Sequence, residues 1–118
     1  MRIPEICDKI TYNNSKYRVD GYLQQYDPIA EMEADPDCCK ITYDIVSKMI
    51  QKEKESGQYR ERYRWCKKED ATHVTGSGIC GCIAPIDEVE ITGKVEWSEE
   101  SIQGEIERHN RMIGEQLI

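Results

Sequence analysis

Phenylalanine is absent from this chain, and aromatic residues make up only 8% of its 118 positions. Counting Gly but leaving out Tyr, the apolar share is about 39%, against an ordinary ~45–50%. A core built from so little is thin, and a thin core favours a staple, an oligomer or an obligate partner. No run approaches the ~18 apolar residues that span a bilayer, which excludes a helical membrane anchor within these residues. The start, Met1-Arg2-Ile3-Pro4-Glu5, lacks the apolar stretch of a secretory signal. An intracellular, cytoplasmic chain is therefore expected. Repeats, low-complexity runs and long linkers are also missing, so the length reads as a single domain over 1–118.

Positive charge is scarce overall: 16 Lys and Arg face 23 Asp and Glu, for a net charge of −7. The distribution is uneven. Asp27 to Cys39 holds five acids and no base, Lys40 to Lys68 nine bases and four acids, and Glu69 to Glu107 ten acids and one base. Duplex nucleic acid is not expected as a partner, because counterion release needs clustered Lys and Arg facing phosphates. The central basic block could still meet an anion or an acidic protein surface.

Hydrophobic periodicity gives the elements. Ile10-Thr11-Tyr12 and Tyr17 to Leu23 flank Asn13-Asn14-Ser15, and Asn tolerates the left-handed turn that a hairpin needs. Two Asp-Pro pairs, Asp27-Pro28 and Asp35-Pro36, predict a loop over 26–37 with at most a short helical turn. Ile41, Ile45, Met49 and Lys52, with Val46 and Ile50 beside them, predict a helix from Lys40 to Glu55, capped by Asp37 and stopped at Gly57. From Tyr59 to Trp65 rings alternate with Arg60, Arg62 and Arg64, the period of a strand. Val74 to Gly78 reads as a turn and Ile79 to Ala84 as a short apolar strand. Val89 to Trp97 alternates apolar and charged positions and is the clearest strand in the chain. Ser98 caps a last helix whose inner stripe is Ile102, Ile106, His109, Ile113 and Leu117. The class expected is α+β: an antiparallel sheet of about five strands, in the order β-β-α-β-β-β-α, carrying two helices on one face.

Four groups of residues could carry chemistry. Cys66, His73, Cys80 and Cys82 have the ligand chemistry of a Cys₃His zinc site, with Cys38-Cys39 as a substitute source, although C-x-C is a poorer chelate than the usual knuckle. The alternative is that these cysteines serve as small apolar residues and His73 lies at the surface. Tyr59, Arg60, Arg62, Tyr63, Arg64 and Trp65 would set guanidiniums along one wet face and rings on the other, able to hold phosphates, carboxylates or stacked bases. Gly76-x-Gly78-x-x-Gly81 matches a dinucleotide loop formally, but a short apolar run and Pro85 follow where a helix should begin. Glu88, Glu90 and Glu96, extended by Glu99 and Glu100, form an acidic row able to imitate phosphate charge. Cys80 or Cys82 with His73 would be a nucleophile and base, but no catalytic motif stands in its structural context, so binding is expected ahead of enzyme activity.

Three functions are compatible with these features. The first is a small acidic protein-binding module, an inhibitor or accessory factor of the mobile-element kind, that engages a basic site on a larger nucleic-acid-processing protein. The second is a binder of a small anionic ligand or nucleotide. The third is a zinc-stapled or cysteine-dependent domain. A homodimer is compatible with all three.

Overall fold

The computed structural model describes residues 2–116. Its strands are β1 (Asp8–Tyr12), β2 (Ser15–Tyr26), β3 (Arg62–Trp65), β4 (His73–Ser77), β5 (Cys82–Pro85) and β6 (Glu90–Lys94). The helices are α1 (Pro28–Ala34), α2 (Lys40–Glu55) and α3 (Glu99–Gln116). The expected α+β class is observed, with a sixth strand and a third helix. The chain forms two compact units: one of residues 1–24 and 64–118, the other Gln25–Tyr63.

The larger unit is built on the β1–β2 hairpin. Tyr12 pairs with Ser15, so Asn13 and Asn14 alone make the turn, with φ of 51° and 63°. Two consecutive left-handed residues are what a tight hairpin with native twist requires, and Asn accepts that conformation at low steric cost. The strand order is β5-β4-β2-β1-β6, with β3 also paired to β2. The pairings of β1 with β2 and β6, and of β4 with β2 and β5, are antiparallel. A bulge between Val19 and Gly21 interrupts the β2–β4 register at Asp20. The Asp20 carboxylate accepts hydrogen bonds from the hydroxyls of Thr75, at 2.5 Å, and Ser77.

The core joins Ile6, Cys7, Ile10, Val19, Tyr22, Cys66, Val74, Ala84 and Ile86, and Ile102 and Ile106 of α3 pack onto it. Ser98 caps α3 as expected, its hydroxyl accepting from the Ser101 amide at 3.2 Å. Ile102, Ile106, His109 and Ile113 face inward as the spacing predicts, whereas Leu117 lies outside the described residues. His109 is the anchor of the stripe. Its Nε2 is 2.9 Å from the Cys66 carbonyl, and its ring meets those of Tyr22 and Trp65 edge-on at 5.3 and 5.7 Å. Gly21 makes the approach possible: a methyl there would stand 2.7 Å from Trp65 Cζ3 and 3.1 Å from His109 Nδ1.

In the second unit α1 replaces the expected loop. The Asp27 carboxylate accepts from the Ile29 amide at 3.0 Å, and Pro28 sits in the first turn, where its missing N–H is no loss. Proline here starts a helix rather than breaking one. Helix α2 has the expected span, but Cys39 rather than Asp37 stands at its cap, without a side-chain hydrogen bond. The Asp37 amide instead donates to Asp35 Oδ1 at 2.9 Å. Tyr43 of α2 donates to Glu33 of α1 at 2.8 Å. Helix α2 buries Ile50 and half-buries Tyr43, Val46 and Ser47. Ile41, Ile45 and Met49 point the other way, 69%, 63% and 48% exposed.

Several strand boundaries differ from the sequence reading. Val74 to Ser77 belongs to β4, not to a turn, because Gly76 lets β4 lie against Tyr17 and Cys82, where a methyl would stand 2.8 Å from Tyr17 Cβ and 3.0 Å from Cys82 Sγ. The turn falls at 78–80, which leaves Ile79 fully exposed and begins β5 only at Cys82. Strand β6 stops at Lys94, short of Trp97.

Gly21→Ala should therefore destabilise the protein by about 2 kcal/mol, the ordinary cost of overpacking a filled site. Urea unfolding followed by far-UV circular dichroism measures it. A midpoint equal to that of the unmodified chain would show that the Trp65–His109 approach has slack.

Candidate functional site

Of the expected acidic row, Glu90 lies on β6, Glu88 in the short turn before it, Glu96 in the segment after it, and Glu99 and Glu100 in the first turn of α3. From Glu88 to Glu96 the even-numbered residues are exposed and the odd-numbered ones half-buried. The alternation arises because β6 packs Val89, Ile91 and Val95 on the core. Strand β6 ends the sheet order, with β1 on one side. Among the described residues, Glu88, Glu90, Glu96, Glu99 and Glu100 have no ion-pair partner, while Lys94 in their midst is drawn to Glu5 at 3.2 Å. These five carboxylates are thus held in no ion pair among those residues. Beside it Trp97 lies under the Arg18 guanidinium, 4.6 Å from its ring centre, and Arg18 also meets Glu105 at 3.5 Å.

The arginine row does not form as drawn. Strand β3 contains only Arg62 to Trp65, all four half-buried, so the expected contrast between a wet guanidinium face and a buried ring face is absent. Arg60 and Tyr59 precede the strand; Arg60 is exposed and Tyr59 half-buried. Arg62 Nη2 donates to both carboxylate oxygens of Glu53 at 3.0 Å and lies 5.8 Å from the Tyr59 ring. Nη1 donates to the Arg60 carbonyl at 3.3 Å, so both terminal nitrogens of this guanidinium are engaged within its own unit. Trp65 is fixed from outside the sheet by a side chain that stands in for a strand: its amide donates to Gln116 Oε1 at 2.8 Å, and Gln116 Nε2 donates back to its carbonyl.

The proposed zinc ligands are not brought together; among the described residues no three His, Cys, Asp or Glu gather to hold a metal ion. Cys66 is buried in the core, Cys80 is exposed in the 78–80 turn, and Cys82 faces Gly76 across the β4–β5 pair. His73 places Nδ1 2.8 Å from the Thr72 hydroxyl. Moving the turn by two residues removes the shared strand face that would have joined Cys80 to Cys82. Burial pushes the thiols of Cys7, Cys66 and Cys82 up, which makes them poor nucleophiles. The Gly76–Gly81 motif is a strand–turn–strand element without a following helix, so it is no pyrophosphate cradle.

Two features escaped the sequence. Cys7 has φ of 74°, unusual for a residue with a side chain, and is held there by donating to Val19 O at 2.8 Å and accepting from Val95 N at 3.1 Å. Nothing in the local pattern marks it. The apolar stripe of α2 was visible as spacing, but which face would be buried was not; the run of Tyr43, Val46 and Ile50 was the competing signal. Among the described residues, no helix is long and apolar enough to cross a membrane. No protein-family model matches the chain, and neither characterised proteins nor solved structures yielded a significant match.

All six cysteines are free thiols. At the start of α2 the amides of Thr42 and Ile41 draw the pKa of the Cys39 thiol down, so it should be the most reactive. Iodoacetamide near neutral pH should alkylate Cys39 about tenfold faster than Cys7, Cys66 or Cys82. Mass spectrometry of a timed digest reads the order, and labelling of Cys66 ahead of Cys39 would contradict the placement of both.

Proposed function

We propose that this chain is a protein-interaction module that docks its acidic β6 edge onto a basic surface, of the kind that a nucleic-acid-processing protein presents to phosphates. The observation that carries the reading is the exposure of Glu88, Glu90 and Glu96, continued by Glu99 and Glu100, with none of the five in an ion pair among the described residues. Glu88, Glu90 and Glu96 place carboxylates along one exposed stretch of chain, with Thr92 and Lys94 at the exposed positions between the last two. A row of that kind competes for a groove lined with Lys and Arg, and its field steers the encounter. By occupying such a groove the chain would act as an inhibitor or accessory factor.

Exposed aliphatic residues favour a protein partner over a small ligand. Ile41, Ile45 and Met49 recur every four residues along α2, the spacing by which an amphipathic helix meets an apolar groove. Large aliphatic side chains left in water on one helix face are the usual mark of an interaction surface. The nucleotide-binding alternative is weaker, because Arg62 is occupied by Glu53 and the glycine motif lacks its helix.

The test is capture from lysate of the source cells with the unmodified chain and with the triple variant Glu88→Gln, Glu90→Gln, Glu96→Gln. The unmodified chain should retain a basic nucleic-acid-binding protein and the variant should lose it. The association rate with that protein should fall about tenfold between 50 and 150 mM salt. Equal capture by both chains, or an on-rate insensitive to salt, would refute the reading.

A further inference from the structure

Between α3 and the sheet of the larger unit lies a cavity of about 500 Å³, well within the range of small-molecule sites. Its floor is Ile6, Cys7, Tyr22, Ile102, Ile106 and His109. The polar groups of that floor are largely engaged elsewhere. The Tyr22 hydroxyl donates to the Pro4 carbonyl at 2.8 Å, and His109 Nε2 is held by the Cys66 carbonyl. Burial pushes the Tyr22 phenol up, so it remains neutral. The cavity therefore offers mostly hydrocarbon and ring surface.

The rim is different in kind. Lys67, Lys68 and Lys94 stand at it with Glu5 and Glu69, a surplus of one positive charge in a chain whose net charge is −7. The Glu5 carboxylate already lies between two of the ammonium groups, 3.2 Å from Lys94 and 3.5 Å from Lys68. Those lysines hold its carboxyl below the usual carboxylate range, Lys94 more strongly than Lys68. The rim is thus shown by the chain's own side chain to be a place where a carboxylate is stabilised. Lys67 is exposed and has no ion-pair partner among the described residues, so one cation is left for a second anion.

We infer that this cavity is a binding site for an amphiphilic monoanion, a carboxylate bearing an apolar chain, with the chain against Ile102, Ile106 and Tyr22 and the anionic head at Lys67. The lysines select against neutral and cationic amphiphiles, while the apolar floor selects against small hydrophilic anions such as acetate. The site is independent of the acidic β6 row, and its failure would leave the docking proposal untouched.

Decanoate, below its micellar range, is the probe, with 1-decanol and acetate as comparisons, followed by amide chemical shifts on the full chain. Decanoate should bind one to one with a dissociation constant on the order of 100 µM, shifting Ile102, Ile106 and Tyr22. Decanol should bind at least about tenfold more weakly, and acetate should produce no shifts. Lys67→Glu, at an exposed position that leaves the fold intact, should weaken decanoate about tenfold. Ile106→Trp, which fills the cavity, should abolish binding while the spectrum of β1 and β2 is retained. Absence of decanoate binding at millimolar concentration, equal binding of decanol, or an unchanged constant in Lys67→Glu would each overturn the assignment.

Discussion

The larger unit depends on one close approach: α3 and β3 meet over a residue with no side chain. At Gly21 the backbone of β2 lies bare beneath the Trp65 ring and His109. His109, 2% exposed, reaches across this bare strand to the Cys66 carbonyl, while the Cys66 amide donates to Tyr22 O at 3.2 Å. A helix, a strand end and the longest strand of the sheet are joined through five residues. Helix α3 needs the join, since Gly104 and Gly114 each weaken it by about 1 kcal/mol relative to Ala. Neither glycine is a packing contact, because nothing lies within 4 Å of a methyl placed at either. The stability that α3 lacks in itself comes from its inner stripe, with His109 at the centre.

The same join has consequences for chemistry. His109 is held in the core and His73 lies at the Thr72 hydroxyl, while burial pushes the thiols of Cys7, Cys66 and Cys82 away from reactivity. Among the residues open to solvent are the carboxylates in and beside β6 and the aliphatics along α2. Each suits recognition of another molecule. The cavity beneath α3 adds a third surface, one whose rim reverses the sign of the chain's net charge.

Legibility in the sequence follows how local each determinant is. The hairpin was readable from Asn13-Asn14, β6 from strict alternation, and α3 from its cap and stripe, because each is decided by neighbours within a few residues. Helix α1 was missed because Asp-Pro can break a chain or start a helix, and only the Asp27 bond to the Ile29 amide decides between them. Strand β4 was missed because Gly76 resembles a turn residue until Tyr17 and Cys82 are seen to press against it. The zinc set and the arginine row failed for a related reason: both rested on strand boundaries that moved by two or three residues. Glu88, Glu90 and Glu96 are exposed because the alternation at even-numbered positions continues past both ends of β6. The cavity had no sequence signature, since its floor and rim come from five separated stretches of chain.

Native-state amide exchange in His109→Ala tests the join most directly. The account predicts that the amides of α3 around Ile106 to Ile113 and the Cys66 amide lose protection together, by about 2–4 kcal/mol, while the β1–β2 pairing keeps its own. An α3 that stays protected while the Cys66 amide alone opens would contradict it.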